Sequence, residues 1–306
     1  MSPVPVASDR ALLRRLPKAE LHCHLDGSVR PATLLELAKE YKVRMPADDP
    51  EALAAYMRVD DARNLEEYLE RFDITLSVMQ TAEAMERCAY ELALDAADEG
   101  VRYLEMRYAP TLNTVQGLEP GAVLEASLRG VQRAERERDI VARVIVCSLR
   151  HYDPALSLEL AKLAVAYRDR GVVGFDLAGG EINNPASRHA AAFAWCREHG
   201  LACTCHAGEG DGPDSVRQAV HDCHAHRLGH ATRLIEDEAL LREVHLRDAS
   251  AQAVSRARHE RLPQHRQPAD ERDHAGRRVP PRGDAVRLHL RRTGGHGARR
   301  LPERLP

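Results

Sequence analysis

The chain has 306 residues, of which 43% are hydrophobic and 30% charged, and its formal net charge is −3. That length buries a sizeable core, as one large α/β barrel or as two ordinary domains. No run of about 18 apolar residues occurs, which excludes a membrane-spanning helix. The opening MSPVPVASDRALLRRLPKAE lacks the charged-then-apolar order of a secretory signal, so a cytoplasmic location is the default expectation. The seven cysteines are scattered, odd in number and free of any CxxC pair, which argues against a disulfide framework or a thiolate zinc knuckle.

In chain order, the first element is a strand in AELHCHL. A strand turns successive side chains to opposite faces, so His22 and His24 look into one space while Leu21, Cys23 and Leu25 look the other way. Asp26 and Gly27 follow directly. PATLLELAKEYKV then carries Leu34, Leu35, Ala38 and Tyr41 at helix spacing after a proline start. Two further amphipathic stretches, NLEEYLERFDITLSVMQT and TAEAMERCAYELALDAADEG, read as helices, the second stopped by Gly100.

Five more short apolar runs predict strands: VRYLEMRYA, ARVIVCSL, GVVGFDLA, LACTCHA and RLGH. Cys203 and Cys205 alternate with Thr204 along one of them and read as small core residues. Strands that alternate with helices imply parallel pairing with right-handed crossovers. Six such units exceed the usual half of a doubly wound domain, so the prediction is a (β/α)8 barrel, incomplete at about six of eight units. Polar residues cluster just past the apolar part of these strands: His22, His24 and Asp26; Arg107; Asp176; His206 and Glu209; His230. A barrel brings all such ends to one face. HDCHAHRLGH offers a competing histidine cluster, whose spacings fit no single helix or strand face. His221 and His224 are read as solvated loop residues, with only His230 aimed at the pocket.

Beyond residue 250 the composition changes. Residues 251–306 hold 14 Arg and no Lys, Ile, Met, Phe, Tyr, Trp, Cys or Asn. Basic and acidic residues number 30 and 41 up to residue 250, and 14 and 6 after it. The expected organisation is therefore a partial barrel over 1–250 and a disordered Arg-rich tail over 251–306. Such a tail raises the possibility of a nucleic-acid-binding protein. It carries no aromatics for stacking and no periodic apolar face, which argues against that role.

The strand-end residues suggest a metal. A catalytic zinc takes three protein ligands and a water, whose pKa it lowers from 15.7 to about 7. HCH supplies two imidazoles on one face, CHAGE supplies His206 with Glu209 three residues on, and RLGH ends in His230. Singly each is weak, and Asp26, Glu209 or Gly179 could each serve only a turn or a cap. Together they repeat at successive strand ends.

These residues resemble the adenosine deaminase family, metal-dependent amidohydrolases on a (β/α)8 barrel, from about residue 16 to about 245. The likeness is carried by LHCHLDGS, LERFDITLSVMQT, YLEMRYAP, GVVGFDLAGGE, CHAGEGDGPDSV and RLGHATRL. It implies one zinc ion held by His22, His24 and His206. It implies that Glu209 protonates the purine at N1 and that His230 orients the attacking hydroxide. It further implies that Gly179 meets purine N3 through its backbone N–H and that Asp26 holds the ribose, with His24 also facing the substrate. The reaction implied is hydrolysis of adenosine or 2′-deoxyadenosine to inosine and ammonia; adenine, a modified adenosine, or silent purine binding are the alternatives.

The family pattern continues with an SNxQT-like segment and a strand ending in NTD, whose Asp completes the zinc site. Neither occurs in this sequence. A one-nucleotide shift across QHRQPADERD permits codons for NTDNRLMS, so the tail reads as a frameshifted end. A barrel without its last strands exposes two sheet edges, and a site without its carboxylate is left with three neutral ligands. Poor folding and weak activity are the expectation.

Overall fold

A computed structural model of the chain describes residues 10–58 and 65–245. The tail at 251–306, with its predicted disorder and its proposed shift of frame, lies outside the described residues.

Six parallel strands form one sheet in the order of the chain: β1 (Lys18–His24), β2 (Val101–Tyr108), β3 (Val141–Leu149), β4 (Val172–Ala178), β5 (Ala202–Ala207) and β6 (Arg227–His230). Each strand pairs in parallel with the next. All six coincide with the runs picked out by apolar content. Helix α1 (Arg10–Arg15) precedes β1, and α2 (Pro31–Tyr41), α3 (Pro50–Met57), α4 (Leu65–Leu76), α5 (Ala82–Asp98), α6 (Pro120–Glu137), α7 (Pro154–Ala166), α8 (Ala190–Glu198) and α9 (Pro213–His221) fill the connections between strands.

The helix starts follow one recipe. Five begin on a proline, whose fixed φ and missing N–H suit the first turn. Asp49, Thr81 and Asp153 accept a backbone N–H from the first turns of α3, α5 and α7. Gly100 ends the α5 region at φ +86°, and a Cβ there would lie 2.1 Å from the Arg14 carbonyl oxygen. His221 is a correction to the sequence reading. It is the last residue of α9, not a loop residue, and its Nε2 lies 3.3 Å from Glu243 Oε2.

Burial sorts the strand residues by face. Leu104, Met106 and Tyr108 of β2, Val144 and Val146 of β3, and Leu177 of β4 turn outward into the layer beneath the helices. The opposite face carries Glu105, Arg107, Cys147, Asp176, His206 and Gly229, which meet across the interior. Arg227 of β6 spans to Glu105 of β2 at 2.5 Å, and the Tyr103 hydroxyl donates to the same carboxylate. Among the described residues β1 and β6 share no ladder. Their inner faces nevertheless meet, because a Cβ on Gly229 would lie 2.9 Å from the His22 ring. The sheet is thus an incomplete (β/α)8 barrel, curled far enough for its first and last strands to face one another.

Helices α5 and α6 pack closely through Gly130. A Cβ there would sit 2.2 Å from the Glu86 carbonyl oxygen and 2.9 Å from the Tyr90 nitrogen, both backbone atoms that move only with the helix. Gly130→Ala is expected to destabilise the fold by about 1–3 kcal/mol through overpacking. A urea midpoint equal to that of the parent chain would contradict this close approach.

Candidate active and metal site

β1 and β5 supply the centre of the site. The Nε2 atoms of His22 and His24 are 3.3 Å apart, those of His22 and His206 3.0 Å, and those of His24 and His206 3.1 Å. Ligands at a zinc–nitrogen distance of 2.0–2.1 Å in a tetrahedral arrangement stand about 3.3 Å apart. The three nitrogens therefore have the spacing that one small divalent cation imposes. Withdrawal from water, then the neighbouring His206 and Arg107, hold His24 well below the ordinary imidazole range. Burial, followed by His206 and Arg107, does the same for His22. Held neutral, His22 and His24 turn nitrogen lone pairs toward the point that His206 Nε2 also faces, an arrangement that a cation at the centre would stabilise.

Behind His206 stands Asp176, fully buried at the end of β4. Its Oδ2 lies 2.9 Å from His206 Nδ1 and accepts a hydrogen bond from Arg107 Nη1 at 3.0 Å. Burial alone would raise this carboxyl, but His206 and Arg107 outweigh burial and hold it well below the usual carboxylate range. A carboxylate on Nδ1 leaves Nε2 as the free ligand atom, the usual support of a metal-bound histidine. Arg107 also donates to the Leu21 carbonyl at 2.6 Å, so its side chain ties β2 to β1 and β4, and Asp176 carries the link on to His206 of β5. Arg107→Met removes the partner of a buried charge, and a loss of about 3–5 kcal/mol is expected. Calorimetry with a melting temperature unchanged by this substitution would speak against the network.

His230, at the end of β6, joins the cluster from the far side, its ring centroid 4.8 Å from that of His22 and 5.1 Å from that of His206. Its Nε2 lies 3.3 Å from Glu209 Oε2. Both side chains are partly exposed, 29% and 35%, so they form the solvent-facing side of the histidine cluster. Partial burial and His206 lower His230 to about 4. Partial burial, with Glu181 adding to it and His206 opposing, raises Glu209 above its ordinary value. His230 and Ala231 both adopt left-handed backbone, φ 59° and 50°. Such strain at a strand end gathers at functional sites, and no sequence pattern announces it.

Asp26 is buried just past β1, its Oδ1 3.9 Å from His24 Nδ1 and without a hydrogen-bond partner among the described residues. Burial pushes its carboxyl up to about 7. The Thr75 hydroxyl of α4 donates to the Asp26 carbonyl at 2.6 Å and fixes the turn. Gly179 follows β4 at φ +91°. A Cβ there meets nothing closer than 3.7 Å, so the backbone conformation, not crowding, calls for glycine.

Sequence reasoning placed Arg107 and Asp176 only among the polar strand ends, and it missed Arg150 and Glu181. Arg150 is fully buried and donates to the His206 carbonyl at 2.7 Å, the Asn184 carbonyl at 2.8 Å and the Ser215 hydroxyl at 3.1 Å. A lone charged residue beside a strand end was the only available signal.

Fold and site together place the chain among barrel proteins of the amidohydrolase type. An amidohydrolase from Burkholderia ambifaria, crystallised with bound Zn, superposes with a TM-score of 0.70 at 28% identity, over 81% of this chain and 67% of that one. The N6-mAMP deaminase of Arabidopsis gives 0.62 at 31% identity, over 72% and 67%. The particular family comes from residues 17–253, which match the adenosine deaminase model, and the chain belongs to the adenosine deaminase family. It is 44% identical to the adenosine deaminase of Mycobacterium avium over 74% of its own length, and 45% identical to a protein of Dictyostelium discoideum described as a probable adenosine deaminase over 76%. The chain spans 63% of the mycobacterial protein and 30% of the Dictyostelium protein.

Proposed function

We propose that this site carries out hydrolytic deamination of adenosine and 2′-deoxyadenosine, to inosine or deoxyinosine and ammonia, with one zinc ion held by His22, His24 and His206. The observation that carries the reading is the triangle of Nε2 atoms 3.0–3.3 Å apart, with Glu209 and His230 beside it. When bound, zinc supplies the Lewis acidity that brings a water's pKa to about 7.

The protein's own groups supply the rest. An aromatic amine leaves only after the ring has lost its aromaticity, so a proton must reach N1 as oxygen attacks C6. Glu209, raised by its surroundings, keeps a proton for that transfer better than an ordinary glutamate. His230, neutral above about pH 4, offers an imidazole nitrogen to orient the attacking water. Asp26 faces the ribose hydroxyls and the Gly179 N–H faces N3. The C6–O bond forms as the water gives up one proton, which restores the proton Glu209 gave to N1. The C6–N bond then breaks as the new hydroxyl's proton passes to the amine, which leaves as ammonia. The substrate is a free nucleoside and not a nucleic acid. Among the described residues no helix is long and apolar enough to cross a membrane, and we place the protein in the cytoplasm.

Ammonia release from adenosine by the purified, zinc-loaded chain tests the reading, with weak but Glu209-dependent turnover expected. Equal rates for the parent and a Glu209 variant would sink it. Loss of absorbance over a panel of 6-aminopurines separates adenosine from adenine and N6-modified substrates.

A further inference from the structure

Glu181 is a buried charge that the scheme above leaves unused. It stands three residues past β4, in LAGGE, and is 4% exposed. Its carboxylate accepts three consecutive amides of the loop that follows β5. Gly208 N donates to Oε2 at 2.9 Å, Glu209 N to Oε1 at 2.8 Å and Gly210 N to Oε1 at 3.1 Å. Successive N–H groups turned onto one anion form a nest. Gly208, at φ +69°, supplies the left-handed step the nest needs, and a Cβ there would meet Val216 at 2.6 Å. Arg150 grips the same segment through the His206 carbonyl and Ser215. A neutral amide cannot replace this carboxylate, because its NH2 group would face one of the three donors.

The middle residue of that nest is Glu209. We propose that Glu181 is a positioning residue for deamination: it fixes the backbone on which Glu209 stands and so aims that side chain at the purine ring nitrogen. The proposal rests on the reading of Glu209 as the proton donor. A displacement of about 1 Å in such a group costs on the order of 100-fold in rate.

Glu181→Gln and Glu181→Ala in the full chain test it. In both, hydrogen exchange at the amides of residues 208–210 is expected to quicken by at least about tenfold, while β2 and β3 keep their protection. The kcat for adenosine is expected to fall about 100-fold with KM changed by less than about threefold. Formate, a carboxylate small enough to enter the space left in Glu181→Ala, should restore part of kcat, whereas chloride should not. Should the alanine variant fail to fold, the near-isosteric glutamine variant decides by exchange and by the kcat–KM split. Unaltered exchange at residues 208–210, or a kcat within about twofold of the parent, overturns the role of Glu181. A parent chain silent toward adenosine would instead sink the reading of the site as a deaminase.

Discussion

Glu209→Gln is expected to lower kcat for adenosine by roughly 10²–10⁴-fold, the span of a lost general acid, while the zinc content of the protein stays that of the parent. Glutamine matches glutamate in shape but has no acidic proton to transfer. The residue lies 3.3 Å from His230 Nε2 at the open side of the histidine cluster, and outside the triangle of ring nitrogens that would hold the ion. Its loss should therefore separate chemistry from metal binding. Rates of ammonia release and metal analysis on the same preparation provide the check. A variant that loses zinc along with activity would show that Glu209 supports the ion instead of the ring.

The converse separation is expected at His206. His206→Ala should weaken zinc binding by more than about 100-fold, since removal of mere supporting groups around a bound metal already costs 10–100-fold. Asp176→Asn, one step further out, should fall within that smaller range: it removes the charge 2.9 Å from His206 Nδ1 but leaves the ligand atom in place. Competition with a chromophoric chelator measures both. His221→Ala, at the solvent-facing end of α9, serves as the control with unchanged affinity. Equal affinities for the parent and His206→Ala would remove the metal centre from its proposed place.

The two residue types that carry the site differ in how far the sequence alone betrays them. HCH and CHAGE declare their chemistry locally, because strand alternation fixes which side chains share a face and the apolar neighbours Cys23, Leu25, Cys205 and Ala207 show which face is core. The barrel was legible for the same reason, since six apolar runs separated by helical segments leave few topologies. Glu181 and Arg150 were not legible, because what they bind is mostly backbone. An amide has no residue type, so nothing in LAGGE or SLRHY reveals which loop will be gripped. Left-handed geometry at His230 and Ala231 was hidden likewise, being imposed by the pairing of β6 with β5 and the bond from Ala231 N to the Ala207 carbonyl. His221 was misjudged because an irregular histidine spacing was read as loop, whereas α9 ends on the first member of that run.

The separation of His24 from His206 along the polypeptide, 182 positions, has a consequence for how the molecule comes into being. At the usual pace of 5–20 residues per second, a ribosome needs roughly 10–35 seconds between making the first imidazoles and making their partner. For that interval the nascent chain holds only two of the three imidazoles. On the proposed three-histidine site, ion capture would be an event of late synthesis, tied to the moment when the fifth strand docks.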